Sequence, residues 1–134
     1  MKDLIIKKCL KCGAMVKIIE DCHCDNCGIK CCNEQMKEIK KNSTDGAIEK
    51  HKPTYVKEDN KIIVTINHVM DEDHYIEWIC LLTEDREEYV YFNFKDDPKA
   101  IFNNVKHGKI YSYCNKHGLW ETDIEWAKLI LFIN

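Results

Sequence analysis

The sequence predicts an all-β protein that consists of a small metal-stapled N-terminal module followed by a β-sandwich. Seven of the nine cysteines fall within the first 32 residues, so the two parts of the chain carry different chemistry. The remainder contains several short segments in which apolar and polar residues alternate, with no long helical period between them. Short strands at close spacing are typical of two packed sheets.

The N-terminal module, residues 1–39, is too short to bury a sufficient core, so we expect a bound metal to hold it together. Cys9 and Cys12, followed by Gly13, match a metal-binding knuckle. Two residues between the thiolates let both sulfurs bind one ion while nearby amides turn towards them. Clustered cysteines of this kind are more often metal ligands than disulfides in a reducing compartment.

A second cysteine pair must complete a tetrahedral site, and two pairs are available. Cys24 and Cys27 repeat the two-residue spacing of a rubredoxin or zinc ribbon, whereas Cys31 and Cys32 are adjacent. Spacing alone favours Cys24 and Cys27. Four thiolates accept zinc or iron alike, so the metal stays open at this point.

Residues 40–50 are polar and suit a linker, and residues 51–134 are predicted to form the sandwich domain. Its first clear strand lies around residues 61–68 and alternates with a period of two. The face predicted to be buried contains Ile62, Val64, Ile66 and His68.

Further strands are predicted at His74–Leu82, Glu88–Phe94 and Lys109–Cys114, because aromatic and β-branched residues are enriched there. The charged residues 84–87 suit the turn between the first two. The C-terminal tail is ambiguous, since Thr122–Glu125 matches a helix capping box but the following residues are almost all apolar. We expect a short helix or strand there, which is too short to span a bilayer.

The charge balance gives no reason to expect nucleic acid as a partner. Lysine and arginine number 20 against 23 aspartates and glutamates, a net charge of −3. No apolar signal region opens the sequence, so a cytoplasmic location is expected.

Four histidines and one cysteine in the second domain form a candidate metal site. The histidines are His51, His68, His74 and His117, and Cys114 lies three residues before the last of them. Nitrogen and sulfur donors in this mixture suit iron. His107, beside a glycine at a predicted turn, is expected to be an ordinary surface residue.

Several strings of the sequence resemble those of desulfoferrodoxins, the two-iron superoxide reductases. KCLKCGAMVKII followed by CCNEQM is similar to the desulforedoxin-type module that opens those proteins. GAIEKHKP, NHVMDEDHYIEW and YCNKHGLW resemble, in the right order, the segments that build their catalytic iron centre. The resemblance covers nearly the whole chain, from about residue 8 to residue 120, and departs from the family at the inserted Cys22, His23, Cys24 and Cys27.

The resemblance implies an immunoglobulin-like sandwich that carries a catalytic iron at one exposed end. It implies four equatorial imidazoles and an axial thiolate, from His51, His68, His74, His117 and Cys114. It also implies that an iron in the first module is bound by Cys9, Cys12, Cys31 and Cys32, although that site could hold zinc. An axial thiolate pushes electron density onto the metal, which suits the reduction of superoxide.

The same resemblance implies roles for Glu49 and Lys50 beside the catalytic iron. Lys50 would attract the small anion, and Glu49 would bind the iron once the product has left. The expected reaction consumes superoxide, one electron and two protons and yields hydrogen peroxide. A rubredoxin-like carrier is the expected electron donor, and a homodimer with a role in oxygen defence is the expected assembly.

Two other functions remain possible on the sequence. One is a rubredoxin-like electron carrier in which the cysteine-only site does the work, and the other is a zinc-stapled binding module without catalysis. Iron content and a visible spectrum would separate the three.

Overall fold

The computed structural model describes residues 2–25, 27–42 and 48–125. The chain divides into two compact units, one of Lys2–Lys40 and one that begins at Lys41. Among these described residues, none of the helical structure has the length and apolar character that a membrane-spanning helix requires.

The N-terminal unit is built from short antiparallel strands. These are β1 (Ile6–Lys8), β2 (Met15–Lys17), β3 (Lys30–Cys31), β4 (Glu34–Gln35) and β5 (Lys37–Glu38). β1 lies between β2 and β5 in one sheet, and β3 pairs with β4 in a separate hairpin. The hairpin turns at Cys32 and Asn33, whose φ angles of 54° and 60° are those of a type I′ turn.

The first described element of the C-terminal unit is a helical turn, α1 (Ile48–His51), and strands follow it. These are β6 (Thr54–Glu58), β7 (Lys61–Thr65), β8 (Ile76–Leu82), β9 (Glu87–Tyr91), β10 (Lys99–Asn103), β11 (Gly108–Cys114) and β12 (Gly118–Ile124). One sheet has the order β10-β7-β6 and the other the order β12-β11-β8-β9, and all pairs are antiparallel.

The two sheets share one apolar core. Ile62 and Val64 of β7 are fully buried, and their cluster includes Ile79 and Ile110 from the other sheet. This is a sandwich of a three-stranded and a four-stranded sheet, so the predicted all-β, immunoglobulin-like fold is confirmed apart from the single helical turn.

A bulge interrupts β8 close to the end where its loops carry histidines. Trp78 pairs with Tyr113, but Ile76 pairs with Cys114, so Glu77 is an extra residue on β8. As a result Ile76 and Ile79 both belong to the core, although a regular strand would place them on opposite faces.

The predicted strands agree with the structure to within a few residues, and the predicted turn before β9 is present, with Thr83 N–H donating to Arg86 O. β6, β10, most of β12 and the short strands of the N-terminal unit were not predicted. Of the helix and the strand expected at Thr122, the structure has the strand: Thr122 lies in β12, and its hydroxyl donates to Pro53 O over 2.6 Å instead of capping a helix. The tail beyond residue 125 lies outside the described residues.

Candidate metal centres

Five predicted donor residues meet at one end of the sandwich. β7 and β11 end there, β6, β8 and β12 begin there, and the connecting segments carry the donors. All five donor atoms lie within 4.8 Å of one another. We call this group the histidine–cysteine cluster; its members are His51, His68, His74, Cys114 and His117.

The four imidazoles of this cluster lie at the corners of a square. Ring centroids are 4.7 Å apart for His51–His68, 4.7 Å for His68–His74, 5.0 Å for His74–His117 and 4.6 Å for His117–His51. The diagonal from His51 to His74 is 6.4 Å, close to what a square with these sides requires. Neighbouring rings meet edge to face, so each can direct one nitrogen towards the centre.

The nitrogens that face the centre can be identified from their partners. His51 Nε2 lies 2.8 Å from His117 Nδ1. Two nitrogens that bind one ion at about 2.1 Å and at a right angle would be about 3 Å apart. His68 Nδ1 contacts Val69 O, and donation to that carbonyl places the lone pair on Nε2.

His74 provides the clearest sign that something is bound here. Its Nε2 is buried and has no hydrogen-bond partner among the described residues. A buried polar atom without a partner costs free energy, and a cation at the centre of the square would supply the partner. The donor set therefore fits a metal ion.

Cys114 supplies the sulfur and is fully buried at the end of β11. Its Sγ lies 3.4 Å from His68 Nε2 and 3.9 Å from His117 Nδ1. The N–H of His117 donates to the same sulfur over 3.4 Å. Burial raises the pKa of the Cys114 thiol, and the backbone N–H groups of Lys116 and His117 offset part of that effect.

Two of the imidazoles, those of His68 and His74, are held in the neutral form that binds metals. Burial first, with smaller contributions from the nearby histidines, lowers the pKa of His68 to about 4, although the hydrogen bond to Val69 O opposes the shift. The pKa of His74 is lowered by burial and next by His117. The lone pairs of His68 and His74 are therefore available to a metal ion near neutral pH.

The segment that carries His51 is fastened to the second sheet by three contacts. The buried Ser112 hydroxyl donates to His51 O over 3.0 Å, and Thr122 holds Pro53 in the same way. Trp120 stacks on the His51 ring, with centroids 5.2 Å apart, while its indole N–H donates to His117 O. Sequence reasoning missed Ser112, although it is the one polar residue on the strand face that leads to Cys114.

Asn115 joins the loop of Cys114 and His117 to the loop of His74. Its Oδ1 accepts from Tyr75 N–H over 3.0 Å, and its Nδ2 donates to Asp73 O over 3.0 Å. Its backbone N–H donates to Tyr75 O over 3.3 Å. Sequence reasoning missed this role too, although an asparagine between two candidate ligands was a usable signal.

The charged residues proposed beside the site lie on α1, and the loop after β11 adds a further lysine. Lys50 is exposed in α1, next to His51, while the side chain of Glu49 lies outside what the structure describes. Lys116 is half-exposed and lies 3.9 Å from Asp73. His107 is exposed and lies near Glu84, away from the cluster, as expected.

The N-terminal unit brings four cysteines together, and we call them the four-cysteine cluster: Cys9, Cys12, Cys31 and Cys32. Cys12 Sγ lies 3.6 Å from Cys31 Sγ, which lies 3.9 Å from Cys32 Sγ. Cys24 and Cys27, the pair that spacing alone favoured, do not belong to this group.

The electrostatics of the four-cysteine cluster also fit a cation. A hydrogen bond from Cys12 N–H lowers the pKa of Cys9 to about 7. The pKa of Cys31 is raised to about 12 by Cys12 first and Cys9 second. Thiols this close resist ionising side by side, and a bound cation removes that resistance.

Comparisons with known proteins agree with this arrangement. The desulfoferrodoxin family model matches residues 43–123. The chain is 42% identical over 99 residues to a desulfoferrodoxin from Clostridium acetobutylicum, which covers 72% of this chain and 79% of the relative. It is 37% identical over 123 residues to a desulfoferrodoxin from Nitratidesulfovibrio vulgaris, which covers 88% and 94%.

A solved structure supports the fold. The superoxide reductase from Treponema pallidum aligns with a TM-score of 0.68 at 22% identity, over 90% of this chain and 99% of that one.

Proposed function

The chain belongs to the desulfoferrodoxin family, and from that membership we propose that it reduces superoxide to hydrogen peroxide at an iron ion. Relatives that carry the name superoxide reductase include one from Pyrococcus abyssi, 34% identical over 100 residues. The observation that carries the proposal is the histidine–cysteine cluster, in which four imidazoles surround one point beside a buried thiol.

The histidine–cysteine cluster is the proposed binding site for the catalytic iron. The ligand atoms would be Nε2 of His51, His68 and His74, Nδ1 of His117 and Sγ of Cys114, since these atoms converge. An iron bound there would supply the single electron that superoxide takes up. The four-cysteine cluster is the proposed site of a second iron.

The surroundings of the cluster direct where the substrate can approach. Cys114 is fully buried, whereas His68, His74 and His117 are only partly buried. A small anion can therefore reach the imidazole square from the solvent side but not from the thiol side. The backbone N–H of His117 holds the sulfur in place and moderates its charge.

Lys50 is proposed to attract the substrate. Glu49 is proposed to bind the iron once the product has left. Lys50 is exposed on the helical turn that also carries His51, so its ammonium can draw in an anion on a protein of net charge −3. The role of Glu49 as a later iron ligand rests on its place in the sequence.

Three further expectations follow from family membership and belong to the same proposal. Electrons come from a rubredoxin-like carrier, the protein is a homodimer, and it protects the cytoplasm from superoxide. Light scattering and single-turnover reduction by a purified rubredoxin would test the first two.

Cys114→Ser tests the proposed function. We expect it to abolish superoxide reduction and to remove the sulfur-to-iron absorption band, while the colour of the four-cysteine cluster remains. Cys80→Ala is the matched control, because Cys80 is also fully buried in the sandwich but lies outside the cluster. A Cys114→Ser protein that kept both the activity and the band would contradict the proposal.

A further inference from the structure

The segment between β2 and β3 carries three cysteines that neither metal cluster uses. Cys22 and Cys24 are exposed and Cys27 is half-buried. Among the described residues, only two groups of donors converge closely enough for one ion, and these three thiols are in neither. Their arrangement therefore suits the chemistry of thiols with one another rather than a third metal site.

Two of these three cysteines line a cavity of about 340 Å³. Cys22 and Cys27 both line it, together with Ile18, Asp21 and Ile29, but Cys24 does not. The Cys27 thiol also donates to Cys24 O over 2.8 Å. A small molecule that enters the cavity would therefore meet Cys22 and Cys27 together.

The two thiols that line the cavity differ in acidity. Hydrogen bonds from Cys22 first and Cys24 second lower the pKa of Cys27. The reciprocal hydrogen bond to Cys27 raises the pKa of Cys22 to about 11. The pair thus consists of a thiol whose pKa is lowered and a neighbour whose pKa is raised, the asymmetry found in reactive dithiols.

We propose that Cys22 and Cys27 form a dithiol that hydrogen peroxide oxidises to a disulfide. The inference rests on the proposed function for its oxidant, because hydrogen peroxide is the product of superoxide reduction. The chain would then remove, at its N-terminal unit, some of the peroxide that its other unit makes.

The proposed reaction balances in two steps. The Cys27 thiolate attacks one oxygen of the peroxide, the O–O bond breaks, and the departing hydroxide takes the Cys22 proton to form water. The Cys22 thiolate then attacks the oxidised Cys27 sulfur, the S–S bond forms and the S–O bond breaks, and the departing hydroxide becomes the second water by taking up the proton that Cys27 released when it ionised. Two thiols and one peroxide become one disulfide and two waters, and an external thiol reductant restores the pair.

The test uses the metal-loaded full chain and has two arms. In the first, one equivalent of hydrogen peroxide is added directly under anaerobic conditions. Free thiols are then alkylated and disulfides are mapped by mass spectrometry. We expect a Cys22–Cys27 disulfide that a thiol reductant reverses. In the second arm, superoxide and an electron donor replace the peroxide, and the same disulfide is expected.

Serine variants identify the reacting pair. Cys27→Ser and Cys22→Ser should abolish the disulfide, whereas Cys24→Ser should form it to the wild-type extent, and all three should keep superoxide reduction. Absence of a Cys22–Cys27 disulfide after direct addition of peroxide would overturn the inference, as would a disulfide that joins Cys24 or a cysteine of the four-cysteine cluster instead. A disulfide in the first arm but not in the second would leave the dithiol standing and count against the proposed function.

Discussion

Asn115 is the residue outside the histidine–cysteine cluster with the clearest effect on its shape. Its amide bonds to both neighbours of His74, so the loop of His74 depends on it. Asn115→Ala should weaken iron binding at the cluster by about 10-fold to 100-fold, as loss of a residue that orients a ligand does. Iron retained after dialysis against a graded series of chelator concentrations measures the effect.

A matched variant tests whether the loss of iron is specific to Asn115 or follows from removing any asparagine. Asn104→Ala removes an exposed asparagine from the loop after β10 and should retain iron like the wild type. Equal iron retention by Asn115→Ala and Asn104→Ala would mean that the loop of His74 is held by other contacts.

Lys50 tests whether one local charge guides the substrate. Lys50→Ala should slow the bimolecular reaction with superoxide by about tenfold and weaken its dependence on ionic strength. Pulse radiolysis at several salt concentrations measures both. Lys106→Ala is the control, since Lys106 is exposed next to the start of β11, at the other end of the strand from Cys114.

The two lysine variants have opposite expected outcomes. Lys106→Ala should react at the wild-type rate, because a charge farther from the site acts more weakly through salt. If Lys50→Ala also reacted at the wild-type rate at low salt, its ammonium would have no steering role.

At the scale of elements, a group of ion pairs joins β12 to β11 and to the segment that precedes α1. Glu121 Oε2 lies 2.8 Å from Lys41 Nζ and 3.6 Å from Lys109 Nζ. Burial alone would raise the pKa of Glu121, but the hydrogen bond from Lys41 and other contacts lower it overall. The ionised carboxylate therefore stabilises the folded unit.

The lowered pKa of Glu121 predicts the pH range in which this stabilisation disappears. A carboxyl whose folded pKa lies below its unfolded value stabilises above the unfolded pKa and stops doing so as pH falls through the folded one. Glu121→Gln should cost about 1 kcal/mol of unfolding free energy near pH 7, and almost nothing near pH 3. Urea unfolding at both pH values checks this, with the exposed Glu125→Gln as control. A difference that persisted at low pH would contradict the charge argument.

The bulge in β8 shows what strand prediction can miss. Alternation over His74–Leu82 predicts a strand, but it cannot place Ile76 and Ile79 on the same face. That outcome depends on the pairing with β11. Tyr113 pairs with Trp78 and Cys114 pairs with Ile76, so Glu77 has no partner residue on β11. The bulge also fixes where Cys114 lies relative to the segment that carries His74.

For the whole molecule, the two metal clusters belong to separate compact units and should load independently. Cys31→Ser should remove the metal of the four-cysteine cluster, whereas Cys24→Ser should keep it. Both should retain the iron of the histidine–cysteine cluster and its superoxide reduction with an artificial reductant. Metal analysis and visible spectra of the two variants are the measurement. Loss of metal in Cys24→Ser but not in Cys31→Ser would favour the rubredoxin-like pairing.

The sequence by itself determined the fold class, four strands of the sandwich and the kinds of donor. Period-two alternation is a local pattern, so Ile62 and Val64 could be assigned to a buried face before any pairing was known. Cys9 and Cys12 are close in sequence, and their knuckle needs no distant partner. Similarity to desulfoferrodoxin strings also pointed to the four histidines and Cys114 as one set.

Only the tertiary structure decided how those donors meet. His51, His68, His74 and His117 come from four separate segments, and their square depends on the register in which β6, β8 and β11 pair with their neighbours. The roles of Ser112 and Asn115 depend on contacts with residues about 40 or more positions away. In the N-terminal unit, spacing favoured Cys24 and Cys27, but the β3–β4 hairpin brings Cys31 and Cys32 to Cys9 and Cys12. Distances along the chain constrain local turns, whereas strand pairing alone brings distant segments to one point.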